Sequence, residues 1–453
     1  MPNQANVRPH CVAVIGGAVS GAQVAGRLAE KGVSVAVFEQ NPRPFGKIED
    51  GLPRWHHKLR DKEYRAITDK LSHPNVQFVP NTEIGTDIDF GALCNDWGFS
   101  TVVLANGAWR DRPLSISGAE DFLDKGLIYQ NPFVTWWNHL EETGYNGPTF
   151  DVTDDTIVLG GGLASIDVAK IVMLEVTRAK LRERDIDVDV ITLEVKGIPK
   201  ILEAHGLAFE DLGLAGCTIF YRRRIEDMPV VSIPEDATPE RAAKARKSRA
   251  TLLDKAMRKY CFKIQELSVA DSLIVEDDRL VGLVFRRTSI EDGRVVMTDE
   301  TFERRGSQVI SSIGSIPQPI SGIGMKGELF NFADWDTGRL PDFPTVFSVG
   351  NVVTGKGNIV ASRKHAEHVT DVAIEGYLGV SDDPEAARED LESRTAAGAD
   401  QFADTVAEHL AAASPPDPAA FDATLARVTE RQKTVNYAGD FESWLKLVAP
   451  VPR

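Results

Sequence analysis

Cys11-Val-Ala-Val-Ile-Gly-Gly-Ala-Val-Ser-Gly21, running on through Lys31-Gly32 to Val33-Ser-Val-Ala-Val-Phe-Glu39, is the stretch that decides the fold. Cys11 to Ile15 is a short apolar run of the kind that forms a buried parallel strand. A glycine turn follows, then a helix from Ala22 to Lys31, stopped at Gly32, and a second strand from Val33 to Phe38. Strand, helix and strand in so short a span make a βαβ unit.

The turn reads Gly16-Gly17-Ala18-Val19-Ser20-Gly21. A dinucleotide turn uses glycine for a tight bend, for close approach of the backbone to a pyrophosphate, and for close helix–strand packing. The helix N-terminus then supplies free N–H donors and a positive dipole end. Ala18 departs from G-x-G-x-x-G at the middle glycine, where a methyl crowds the pyrophosphate. Glu39 compensates, because an acid ending the second strand is placed to bind a ribose diol.

A second unit opens at Thr156. Thr156 to Leu159 reads as a strand, Gly160-Gly161-Gly162-Leu163-Ala164-Ser165 as the turn, and Ile166 to about Arg184 as a helix. The turn keeps the first two glycines and places a small serine at the third. The next clear strand, Cys217 to Tyr221, ends not in an acid but in Arg222-Arg223-Arg224. A guanidinium pair suits a 2′-phosphate through bidentate charge-assisted contacts. The second turn therefore points to NADPH rather than NADH; the alternative is that Arg222 to Arg224 are a solvated strand end, Arg224 above all. Two such turns imply two dinucleotides facing each other. A flavin and a nicotinamide are the natural pair, since hydride passes between them without side-chain chemistry.

The remaining chain adds fewer signals. Val188 to Ile191 suggests a strand inside a poorly legible stretch, 185–215, and alternation from Val269 to Gln308 predicts an antiparallel meander. Residues 382–412 carry nine Asp/Glu against two Arg and read as an exposed helix. The 453 residues are 42% apolar and 26% charged, an ordinary globular composition. No apolar run is long enough to cross a bilayer. Met1 to His10 lacks the basic and apolar regions of a secretory signal, so a cytoplasmic location is expected. The four cysteines form no C-x-x-C, which argues against a redox-active disulfide or a cysteine-held cluster. The nine histidines show no metal spacing, so no metal site is expected. With 67 acidic against 51 basic residues, general nucleic-acid affinity is not expected.

Several segments together resemble the adrenodoxin-reductase type of ferredoxin–NADP reductase, with kinship to the small subunit of glutamate synthase. Phe45-Gly-Lys-Ile-Glu-Asp-Gly-Leu-Pro53 is similar to that family's flavin-edge loop, and Val102 to Arg110 to the strand and turn leaving its flavin domain. Ile116 to Glu120 with Asn131-Pro-Phe-Val-Thr-Trp-Trp-Asn138 resembles its I-P-G-E-D…F-V-x-W-Y-N segment. Leu159 to Ala169 is similar to its second glycine turn, Tyr221 to Pro229 to the Y-R-R-x-x-x-x-M-P of the glutamate-synthase branch, and Val349 to Val360 to its late flavin segment. The resemblance implies FAD contacts from Ser20, Glu39, Lys47 and Ile84, and from Gly350, Asn351, Asn358, Ile359 and Val360. Asn351 stands where relatives have Trp or Asp. It implies NADPH contacts from Gly161, Gly162, Leu163, Ala164, Arg222 and Arg223. His56 (with His57 competing) and Glu235 are the nearest candidates for the family's proton-relay pair.

Residues 240–263 carry nine Lys/Arg against two acids in a helical pattern. In the resembled family an acidic ferredoxin docks nearby, so Arg241, Lys244, Arg246, Lys247 and Arg249 are candidate docking residues for a ferredoxin-like electron carrier. Two other readings stay open: the electron-input subunit of a larger complex, as in glutamate synthase, and a single-component flavin oxidase or monooxygenase. A non-enzymatic FAD-binding scaffold is a more distant alternative. A cysteine-rich N-terminal extension, normal in the glutamate-synthase branch, is not seen. The expected architecture is α/β: two Rossmann-like, three-layer dinucleotide-binding domains with the NADP domain (111–314) inserted into a discontinuous FAD domain (8–110 and 315–380). A mainly helical, acidic C-terminal extension (381–453) follows.

Overall fold

A computed structural model of the chain describes residues 10–231, 233, 237–383 and 417–452. The acidic stretch after residue 383 and Glu235 lie outside the described residues. The chain divides into two compact units. One comprises Met1–Glu49, His57–Arg110 and Ser315–Arg453; the other comprises Asp50–His56 and Asp111–Gly314.

The first unit is built on a parallel sheet in the order Val346–Ser348, Thr101–Leu104, Cys11–Ile15, Ser34–Phe38, Val76–Val79. Cys11–Ile15 and Thr101–Leu104 are buried at every position, as expected of strands covered on both faces. Alternate side chains serve opposite layers. Val12, Val14, Val35, Val37 and Val103 pack with Val24 and Leu28 of the helix Val19–Glu30 and with Ala366 and Val369. Ala13, Ile15, Phe38, Val102 and Leu104 pack on the other side with Phe90, Leu93 and Phe330.

The C-terminal segment belongs to this unit. Asp417 caps the helix Pro418–Thr434 by accepting from the Ala420 N–H at 2.9 Å. Gln432 donates from Nε2 to the Phe78 carbonyl at 2.8 Å, covering the outermost strand of the sheet. Trp444, from the helix Phe441–Leu447, donates to the Pro42 carbonyl at 2.7 Å.

The second unit holds another parallel sheet, ordered Lys263–Gln265, Thr218–Phe220, Ile157–Leu159, Val309–Ser311, Leu127–Tyr129. Helix Leu163–Arg182 covers one face through Val168, Ile171, Val172 and Val176. The other face is covered by the expected meander, Ser268–Glu276, Arg279–Glu291 and Arg294–Arg305, paired antiparallel. Phe285 of the meander stacks on Phe220 of the parallel sheet, ring centroids 4.0 Å apart. This unit therefore has three layers, with helix on one side of the parallel sheet and the antiparallel sheet on the other.

Val188 to Ile191 does not form the strand its composition suggests. Asp189 instead caps a short helix, Val190–Lys196, by accepting from the Thr192 N–H at 2.8 Å. A second short helix, Ile198–Ala204, follows, and Leu193, Ile198, Ile201 and Leu202 join the core.

In both sheets the chain leaves the central strand in one direction and later returns on its other side. That is a topological switch point, where α/β proteins bind ligands. Gly21 secures the first one, since a Cβ there would lie 1.8 Å from the Gly16 carbonyl oxygen. Glycine inside a helix is ordinarily about 0.5–1 kcal/mol worse than alanine. Here the sign should invert. Gly21→Ala is expected to lower stability by about 1–3 kcal/mol, as overpacked sites do, read as a lower urea midpoint; an unchanged or raised midpoint contradicts this packing.

Candidate functional site

Each switch point begins with a glycine that no other residue fits. Gly16 has φ +98°, and a Cβ on it would meet the Ala105 carbonyl oxygen at 2.7 Å. Gly160 has φ +152°, and its Cβ would meet the Ser312 carbonyl oxygen at 2.4 Å. Both glycines thus lie against the exit of the neighbouring strand. The helices that follow start without a side-chain cap and without an acid in the first turn: Val19–Glu30 after Ala18, and Leu163–Arg182 after Gly162. Several other helices carry a side-chain cap, among them those begun by Asp89, Asp189, Thr238 and Asn358, whereas the short Ile198–Ala204 and Asn351–Thr354 do not. An uncapped N-terminus offers its N–H groups and dipole to an anion.

In the first turn the Gly17 N–H donates to Glu39 Oε2 at 2.9 Å and the Asn41 N–H to Oε1 at 3.0 Å. Two backbone amides thus hold the buried carboxylate at the strand end. Gly17 is needed beside Pro44, whose Cβ would lie 2.7 Å from an added methyl. The Ala18 methyl rests on Gly46, where a Cβ would come within 3.0 Å of it. Gly46 therefore leaves the room that Ala18 uses.

The late segment closes on the same turn. A Cβ on Gly350 would lie 2.1 Å from Ser20 Oγ, and Ser20 Oγ donates to the Ser362 carbonyl at 3.3 Å. Asn106 and Asn351 flank this place, and the Oδ1 atom of each is buried with no hydrogen-bond partner among the described residues. Such acceptors carry a desolvation cost of about 1–3 kcal/mol each unless a donor reaches them. The ribitol and ribose hydroxyls of a flavin dinucleotide are donors of that kind, so the residues present fit FAD. Asn358 Oδ1 accepts from the Ala361 N–H at 2.7 Å, which spends that oxygen on capping. Ile359 follows it as the first residue of the helix Ile359–Val369, and Val360 is 60% exposed. Lys47 donates to Ser315 Oγ at 3.0 Å and lies over the Trp109 ring. Ile84 is buried with Phe38 and Phe90, and its side chain is part of the core.

In the second turn Gly162 has no atom within 4 Å of its missing Cβ, and Leu163 is 57% exposed beside it. Ala164 follows in the first turn of that helix. Gly161 has a different reason to be glycine: a Cβ there would lie 2.1 Å from the Tyr221 ring. Ser165 is fully buried and turns its hydroxyl onto the Gly162 carbonyl at 2.7 Å, which satisfies it in the place of the third glycine. Arg222 is exposed and has no ion-pair partner among the described residues. Arg223 lies 3.6 Å from Asp227 and donates to the Gly293 carbonyl at 3.0 Å, and Arg224 lies 3.5 Å from Glu226.

His56 lies in the second unit, with Nε2 3.8 Å from Asp167 Oδ1. Glu235, its expected partner, is outside the described residues. Asp167, five residues beyond Gly162, was not singled out by sequence reasoning, although helical periodicity places it on the turn after the glycines. Behind it Lys170 pairs with Glu194 at 2.8 Å and lies 4.2 Å from the Trp55 ring and 4.7 Å from the Tyr260 ring. The hard-to-read 185–215 stretch thus supplies Glu194 to a buried ionic cluster. The Asp50–His56 segment is clamped by the end of helix Gln130–His139. Asn138 donates to the Asp50 and Leu52 carbonyls, and His139 bridges Asp50 (2.9 Å) and Glu142 (2.8 Å).

The basic helix runs from Pro239 to Tyr260. Arg241, Lys244, Arg246 and Lys247 are exposed along it. Arg249 is not a docking residue. It is 8% exposed, and its guanidinium donates to the Val231 carbonyl at 2.6 and 2.9 Å, anchoring the helix to the chain before it. Its spacing from the other cations did not distinguish an inward position from an outward one.

Fold and turns together define a two-domain dinucleotide-binding protein. The chain is 24% identical over 415 residues to the mitochondrial NADPH:adrenodoxin oxidoreductase of Arabidopsis thaliana, covering 81% of this chain and 82% of that one. It is 32% identical over 159 residues to the glutamate synthase [NADPH] small chain of Bacillus subtilis, covering 34% of this chain and 31% of that one. The structure of Mycobacterium tuberculosis FprA in complex with NADPH shares the fold, with a TM-score of 0.61, 21% identity, and 90% of this chain and 91% of that chain covered. No family model matches. The resemblance drawn from the motifs is thereby borne out, to both of its branches. Among the described residues no helix is long and apolar enough to cross a membrane, and no group of His, Cys, Asp or Glu is arranged to hold a metal ion.

The clamp on Asp50–His56 carries a pH dependence. Burial pushes His139 down, but its hydrogen bonds to Asp50 and Glu142 outweigh burial and leave it above the ordinary 6.5. A histidine raised on folding stabilises fully below its unfolded pKa, and that contribution is lost as pH rises through the folded one. His139→Gln is therefore expected to lower the urea midpoint more at about pH 5.5 than at about pH 9. A loss that is equal at both values contradicts a charged clamp.

Proposed function

We propose that the chain is an FAD-dependent oxidoreductase that takes hydride from NADPH and passes electrons to a ferredoxin-like protein. The observation that carries the reading is the pair of uncapped glycine turns, each at the switch point of its own parallel sheet, with different chemistry at the next strand end. The first ends in a carboxylate, Glu39, held by two amides and suited to a ribose diol. The second ends in Tyr221 and the exposed Arg222, suited to a 2′-phosphate. FAD would lie on the first unit, along Gly16, Ala18, Ser20, Glu39 and Asn351. NADPH would lie on the second, along Gly162, Leu163, Ala164, Arg222 and Arg223. This assigns the FAD domain to 8–110 and 315–380 and the NADP domain to 111–314.

FAD held there would supply the conversion of a two-electron hydride into single electrons, which a one-electron acceptor requires. The protein's part is to hold, orient and neutralise. The two helix N-termini would hold the pyrophosphates, and Arg222 would hold the extra phosphate of NADPH. His56, near Asp167, and Glu235 are the groups we assign to proton handling. Arg241, Lys244, Arg246 and Lys247 form an exposed basic stripe on a chain of net charge −16, which supports steering of an acidic carrier to this face. The Arabidopsis relative is named for adrenodoxin as its partner in the reaction. The partial similarity to a glutamate synthase small chain favours a second reading, electron input to a large partner subunit, and stable co-purification of a second chain would select it.

Two measurements test the assignment. Arg222→Ala should raise KM for NADPH about 10- to 100-fold, the value of one lost charge-assisted contact, and leave KM for NADH nearly unchanged. Equal effects on both remove Arg222 from the 2′-phosphate site. Reversing Arg241, Lys244 and Lys247 to Glu should sharply slow ferredoxin-linked cytochrome c reduction, and slow it less as salt is raised. Ferricyanide reduction, which needs no docking, should be spared. Unchanged ferredoxin-linked rates refute the docking face.

A further inference from the structure

Gly350 is held from outside the turn it completes. Its backbone, φ 80° and ψ −144°, is a conformation that L side chains rarely adopt. It is also the residue that stands against Ser20 of the first dinucleotide helix. What fixes it is the helix Ile359–Val369, one turn of which grips both partners. Ser362 accepts from Ser20 Oγ at 3.3 Å, and His365 Nδ1 lies 3.0 Å from the Gly350 nitrogen. A backbone N–H can only donate, so Nδ1 must be the acceptor and the ring proton must sit on Nε2. The next residue, Asn351, carries the buried Oδ1 with no partner among the described residues.

We propose that His365 is a positioning residue for the flavin dinucleotide. As a neutral Nε2–H imidazole it fixes the Gly350–Asn351 backbone against the first glycine turn, and so sets where Asn351 meets the cofactor. The inference rests on the FAD reading of the first unit. The surroundings favour the neutral ring: burial first, and then His368, push His365 below the ordinary 6.5, with Asp336 opposing. A protonated ring would set an N–H against the Gly350 N–H and break the contact. Of the amide side chains only asparagine can stand in for it. Asparagine places its Oδ1 about where Nδ1 stands, whereas glutamine places Oε1 about where Nε2 stands, beyond reach of Gly350.

The test is the dissociation constant of FAD from apoprotein reconstituted with the cofactor, read by recovery of free-flavin fluorescence and by the visible circular dichroism of the bound flavin. His365→Leu and His365→Gln should each raise the constant about tenfold, the worth of one backbone hydrogen bond at this place, with an altered dichroism band. His365→Asn should stay within about threefold of wild type and keep the wild-type band. Glutamine serves alone if the leucine variant does not fold. If asparagine and glutamine behave alike, or if all three variants bind as wild type does, the positioning role is overturned. A wild-type protein that takes up no FAD overturns the first-unit reading itself, so the two failures are distinguishable.

Discussion

Everything else in the molecule depends on a steric constraint at two strand exits: a glycine without room for a side chain, pressed on the carbonyl of the neighbouring strand. Ala105 presses on Gly16 and Ser312 on Gly160. Because the bend is that tight, the helix that follows starts directly over the end of the sheet, with its first N–H groups uncapped. An open helix N-terminus is unfavourable in an isolated protein and becomes favourable when an anion occupies it. The folded chain therefore holds, at each switch point, a donor set whose natural complement is a phosphate.

The chain's other unusual features serve these junctions. The C-terminal helices cover the outermost strand of the first sheet and tie Trp444 to Pro42, in the loop whose Pro44 packs on Gly17. The late segment returns to the same turn through Gly350 and Ser20. In the second unit, Tyr221 lies on Gly161 and so fixes the approach of the strand that ends in Arg222. The clamp of Asn138 and His139 on Asp50–His56 brings His56 within reach of Asp167 on the turn helix.

Much of this was legible in residue order, because the dinucleotide unit is a local motif. Apolar runs, glycines at fixed offsets and the terminal acid or arginines all lie within one βαβ span, and Cys11 to Glu39 folds as its pattern dictates. What escaped reading was tertiary. Alternation over 269–308 revealed a meander but not that Phe285 would stack on Phe220 and make it the outer layer of the second unit. Val188 to Ile191 has strand composition, yet the Asp189 cap made a helix the better use of that backbone. Arg249 looks like its cationic neighbours, and only the Val231 carbonyl shows that it faces inward. Gly161 reads as part of the phosphate turn, and the Tyr221 ring gives it a second, tertiary reason to be glycine. The late partners of Ser20, namely Gly350 and Ser362, come from more than three hundred residues away, beyond any local pattern.

The central claim is that each junction holds its own dinucleotide at the same time. Equilibrium dialysis of the purified chain against FAD together with NADP+, which does not reduce the flavin, tests this directly. One FAD and one NADP+ bound per chain, neither displacing the other, is the result the two-junction account requires. Competition between them for a single place, or uptake of only one, would contradict it.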